Sequence, residues 1–192
     1  MLDFAEWLAT TQWSIALHES LYLYPWIESS HVLFICLFFG TLIFVDLRLT
    51  GKVFTNLSIS RMNKGILPLT IVGFCLMSLT GLLLFYAIPV RNYQNIFFRI
   101  KIFLILLAGL NALFFHKRMS KEAKKWDKDS LIPTRMKVSA VTSLFAWSLV
   151  IILGRLIAYN WFDCDRQPQS EWINFLTSCV VEYQLYEEID GI

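Results

Sequence analysis

Between Glu28 and Gly51 the chain reads ESSHVLFICLFFGTLIFVDLRLTG, apolar from Val32 to Val45 and bounded by His31 on one side and Asp46 and Arg48 on the other. A helix rising about 1.5 Å per residue carries His31 and Asp46 roughly 22 Å apart, close to the two limits of a hydrocarbon layer about 30 Å thick. Such a segment belongs across a membrane, and chemistry at its edges is membrane chemistry.

Three more runs follow. From Gly65 to Val90 there is no charge; Pro68 stands near the start, and Gly73 and Gly81 permit close helix packing or a slight kink. The third run, Ile96 to His116, carries Arg99 and Lys101 in its first turns and Asn111 near its far end. The fourth, Val138 to Tyr159, is free of charge until Arg155. A composition that is 56% hydrophobic, with mean hydropathy +0.54, supports the same class. The reading is all-α: an integral membrane four-helix bundle with spans at about 30–47, 66–89, 96–116 and 138–159.

The small net charge of +2 hides a separation. Twelve of 17 basic residues lie in two loops: Arg48, Lys52, Arg61 and Lys64, and eight between Lys117 and Lys137. Eleven of 15 acidic residues lie before the first span or after the last. With four spans, both basic loops fall on one face and both tails on the other, so the positive-inside rule places both termini outside the cytoplasm. Span orientation accounts for the basic loops without nucleic acid as a partner. No cleavable signal peptide is expected, since MLDFAEW begins with acids and no long apolar run follows.

Residues 1–27 read as a periplasmic amphipathic surface helix. Phe4, Leu8, Thr11, Ile15, His18 and Tyr22 form its stripe, Trp7 and Trp13 suit the headgroup level, and Pro25 ends it. Residues 161–192 form an acidic periplasmic tail, with a second surface helix expected over Glu171 to Tyr186. Cys36 and Cys75 read as small buried hydrophobes. Cys164 and Cys179 fall in a compartment that permits a disulfide, and bridged or free thiols both fit.

Three ionisable groups fall at one depth near the periplasmic edge: His31, Lys101 and Arg155, with His18 and Glu28 able to join from the surface segments. Ionisable side chains inside spans mark functional cavities, although Lys101 and Arg155 are also within snorkelling reach of the interface. A histidine can hold iron axially, and Lys or Arg can bind porphyrin carboxylates. The first reading is therefore a b-type haem or other redox group, with His31 as axial ligand, His18 as a second, Lys101 and Arg155 on the propionates, and a periplasmic or membrane redox partner. Copper is the alternative, held by His31, His18 and Glu28 with Cys75 or Met77 along a path. Small-anion transport on Lys101 and Arg155 is another, and a non-catalytic subunit or homo-oligomer a third. No phosphate loop, nucleophile elbow, HExxH or paired CxxC motif points to hydrolysis or phosphoryl transfer.

The segments YPWIESSHVL, GTLIFVDLRLTG, GLLLF, NIFFRIK, AGLNALFFH and SLFAWSLVIILGRLIAY resemble a family of uncharacterised four-span bacterial inner-membrane proteins, from Glu19 to Tyr159. The resemblance implies that His31, Asp46, Arg48, Arg99, Lys101, Asn111, His116, Trp147, Arg155 and Tyr159 stand at signature positions. More distantly the family is similar to the copper-resistance-D-like membrane proteins. That similarity implies copper or haem at a histidine on a span end.

Overall fold

The computed structural model describes residues 2–129, 132–159, 161–162, 164 and 168–179, and side chains within these except those of 63 and 115–129. Among the described residues there are nine α-helices and no strand: α1 Leu2–Ala9, α2 Gln12–His18, α3 Leu23–Leu49, α4 Ile59–Gly65, α5 Leu67–Ala87, α6 Pro89–Tyr93, α7 Ile96–Asp129, α8 Thr134–Ile157 and α9 Glu171–Thr177. Four stretches are long and apolar enough to cross a membrane: Leu23–Leu49, Ile59–Ala87, Ile96–Phe114 and Thr134–Ile157. The protein is an all-α bundle of four such helices.

Two antiparallel pairs, α3 with α5 and α7 with α8, meet through α3 and α8. The short helices α1, α2, α6 and α9 gather at one end, hereafter the terminal face, and α4 at the other, the loop face. Many large apolar side chains point outward, among them Leu33, Phe44, Leu82, Phe103, Phe114 and Phe145. Water would not tolerate that surface, and lipid requires it. Cys36 and Cys75 share it: both are exposed from the protein, not buried as expected. In a bundle of four single helices about half of each circumference faces lipid, so an apolar residue in a span need not be a core residue.

What the bundle does bury falls in layers. At mid-depth Trp147 stands edge-on to Phe38, ring centroids 4.7 Å apart, and to Phe74 at 5.9 Å. Val150 and Ala108 close this aromatic plug. Near the loop face Val45, Leu49, Ile59, Met62, Met136 and Ala140 form a second apolar cluster. Between α7 and α8, Asn111 Nδ2 donates to the Ser139 carbonyl at 3.1 Å while Ser139 Oγ donates back to Asn111 Oδ1 at 2.7 Å. Both groups are thereby satisfied where water is scarce.

Backbones come closest at Gly73, where a Cβ would stand 3.0 Å from the Phe38 nitrogen and 3.1 Å from its Cα. No larger residue fits there without separating α3 from α5.

The amino-terminal segment differs from expectation. Instead of one helix over Asp3 to Tyr24 there are two, because the hydroxyls of Thr10 and Thr11 donate to the carbonyls of Trp7 and Leu8, both at 2.7 Å, and close the first helix. These helices pack on the bundle by small residues. Ala5 and Ser14 are buried against the bundle, and Ser14 Oγ donates to the Tyr86 carbonyl at 2.7 Å, whereas Phe4, Ile15 and Tyr22 of the expected stripe are exposed. Small residues seat the helices on the bundle and large ones are left for lipid. Nor does Pro25 break the chain. It lies in the first turn of α3, where its missing N–H would have had no partner, and so His31 is in the helix's third turn rather than at its entrance.

The tail is tied down. A disulfide joins Cys164 to Cys179, resolving the open pairing as bridged. Arg99 reaches from α7, its Nε donating to the Tyr93 carbonyl at 2.9 Å and its Nη1 to the Leu176 carbonyl at the end of α9, a position that also favours positive charge. The helix expected over Glu171 to Tyr186 stops at Thr177, with Ser178 left-handed; residues 180–192 lie outside the described residues.

Two outcomes follow. Gly73→Ala lowers stability by about 1–3 kcal/mol, as overpacking does, while Gly109→Ala, where a Cβ meets open space, leaves it unchanged or slightly raised; thermal unfolding in detergent compares the two. Reducing the disulfide, or Arg99→Ala, makes the segment around α9 protease-sensitive while the four long helices stay resistant, as limited proteolysis with peptide mapping would show.

Candidate functional site

At the terminal-face half of the bundle all four long helices contribute to one polar spot. From α3, His31 Nδ1 lies 2.9 Å from Thr80 Oγ1 on α5. The threonine has one proton, and it is directed to its own helix, at 2.9 Å from the Leu76 carbonyl and 3.1 Å from that of Met77. Thr80 Oγ1 therefore serves as the acceptor when His31 Nδ1 carries the hydrogen, the tautomer that leaves Nε2 its lone pair, and the Met77 carbonyl is a further partner of the ring. An imidazole anchored through Nδ1–H with Nε2 bare is the arrangement found in metal-ligating histidines.

Two glycines make room. A Cβ on Gly81 would come within 3.2 Å of His31 Cε1, and one on Gly154 of α8 within 3.3 Å of Lys101 Nζ. Each glycine thus receives the tip of a polar side chain from the opposite helix. The Lys101 ammonium is the charged neighbour of the imidazole. Among the described residues no carboxylate partners Lys101. The spot is a half-buried, cationic cradle with one open nitrogen ligand.

The other two residues expected here are placed elsewhere. His18, at the end of α2, is exposed and meets Tyr24 edge-on at 6.4 Å between centroids. No hydrogen bond or ring contact joins it to His31 among the described residues. Arg155 is exposed, its guanidinium 5.5 Å from the centre of the Tyr159 ring. It follows Gly154 directly, and about 100° of helix rotation per residue separates a position facing Lys101 from one facing outward. Glu28 is exposed too. Among the described residues no three His, Cys, Asp or Glu side chains gather as a metal-holding group, so the copper set of His31, His18 and Glu28 is not assembled.

Four further polar or aromatic residues noted in the sequence have structural partners. Trp147 centres the aromatic plug, Asn111 clamps α7 to α8, Arg99 holds α9, and Arg48 Nε donates to the Leu57 carbonyl at 2.7 Å. Asp46 is buried on α3 beside Ser143. His116 lies on α7, with its side chain outside the described residues. Thr80 and Gly154 join the site with no mark in the sequence, and Gly81 is legible there only as a packing glycine, because small residues in an apolar run carry no signal of which helix they face.

No family model matches the chain, and no curated protein or solved structure is significantly similar to it.

Proposed function

We propose that this is an inner-membrane redox protein whose terminal-face cradle, on the periplasmic side, holds a b-type haem and passes electrons between a membrane partner and a periplasmic one. The observation that carries the proposal is the anchored imidazole: Nδ1 is bonded to Thr80, whose own proton is directed to α5 carbonyls, and this favours Nε2 as the ligand atom. His31 fits as the axial ligand, and Lys101, which no carboxylate partners among the described residues, fits a propionate. His18 and Arg155 do not join that set, so the reading rests on His31 and Lys101 alone. Bound haem would supply one-electron chemistry. The protein's part is to fix the imidazole, neutralise a carboxylate and keep water out with the aromatic plug beneath.

A second reading is favoured by the same unpartnered ammonium: Lys101 takes a small anion, with His31 as a neighbouring ligand, and the bundle moves it. The two separate in an absorption spectrum of detergent-purified protein from haem-replete cells. A Soret band that sharpens and shifts on dithionite reduction, and is lost in His31→Ala, is the expected result. Thr80→Val lowers haem affinity about 10–100-fold, the usual effect of losing the group that orients a ligating histidine, and haem titration of the stripped protein measures it. A flat spectrum before and after reconstitution rejects the haem and leaves the anion.

A further inference from the structure

The loop-face half of the bundle holds a second internal ionisable group, unconnected with the cradle. Asp46 is 3% exposed. Ser143 of α8, 6% exposed, hydrogen-bonds its carboxyl, while Oδ2 is buried with no hydrogen-bond partner. The long or short helices packed against this part of α3 are α4, α5 and α8. Helix α5 has no charged residue, Arg61 and Lys64 of α4 are exposed, and so are Arg135 and Lys137 of α8, the latter lying along Gly51. On α3 itself Arg48 is engaged with the Leu57 carbonyl. None of these cations faces the Asp46 carboxyl.

An ionised carboxylate in that position would give up its hydration for a single hydroxyl, whereas the neutral acid would not. A metal cation does not answer the need. Hard cations ask for about six oxygens, and no group of three acidic, histidine or cysteine side chains is gathered there among the described residues. We propose that Asp46 is an intramembrane proton-binding site, held as the neutral acid against Ser143 and able to release its proton towards the loop face. The exchange is carboxylate plus proton to carboxylic acid, with no redox partner. One turn towards the loop face from Ser143 on α8, Ser139 and Asn111 form a hydrogen-bonded polar pair, which continues the seam from Asp46 in that direction. Proton binding here does not depend on what the cradle binds.

Infrared spectroscopy of the whole protein in lipid, recorded across pH with H2O-to-D2O exchange, tests the proposal. Exposed carboxyls, with pKa values of about 4, are ionised at pH 7. The expected result is a protonated-carboxyl C=O band that survives at pH 7, disappears in Asp46→Asn and moves to higher frequency in Ser143→Ala. Absence of the band at pH 7 in the unsubstituted protein, or a band that Asp46→Asn leaves in place, overturns it. Should Asp46→Asn fail to fold, Ser143→Ala decides: a shifted band supports the site and an unshifted one rejects it.

Discussion

The bundle depends on how closely α3 and α5 approach at Gly73. Lipid is as apolar as leucine, so burial alone does not drive two helices together in a membrane, and association rests on contact between backbones and on hydrogen bonds across the seam. Gly73 supplies the contact, lying against the backbone of Phe38. Seven residues further along α5, two helical turns and on the same face, Thr80 supplies the hydrogen bond to His31. The residue that brings the helices together and the residue that fixes the imidazole are thus successive positions of one seam. A side chain at Gly73 would disturb both.

This seam gives the protein an inside that is polar at two depths and apolar between. The imidazole and ammonium occupy the terminal-face half, and the Asp46 carboxyl occupies the loop-face half beside the Asn111–Ser139 bridge. The Phe38, Phe74 and Trp147 rings separate them. The Lys101 ammonium and the Asp46 acid are therefore kept apart rather than paired. Had the charges been only structural, pairing them would have lowered the cost of burying both.

The spans were readable because about 20 successive apolar residues have no other stable use, and His31 and Lys101 were readable because ionisable side chains inside such runs are costly. Depth, however, is not direction. Lys101 and Arg155 lie at similar depth, yet one enters the bundle over Gly154 and the other stacks on Tyr159, a distinction set by helix rotation that a single sequence does not display. Pro25 was read as a breaker when it starts a helix. The stripe of Phe4, Ile15 and Tyr22 is exposed from the protein, whereas the small Ala5 and Ser14 that seat the helices on the bundle carry no signal in an apolar pattern. Asp46, taken for the boundary of a span, is interior because α3 continues to Leu49.

The central claim is that close packing at Gly81 and Gly154 holds inside the membrane a neutral imidazole with its proton on Nδ1 and Nε2 bare. Nitrogen-15 solid-state NMR of histidine-labelled protein in bilayers tests it directly, since the chain has only three histidines and His31→Gln identifies the relevant pair of resonances. A protonated, hydrogen-bonded Nδ1 and an unprotonated Nε2 for His31 are predicted. An imidazolium, or a neutral ring with its proton on Nε2, would contradict the account.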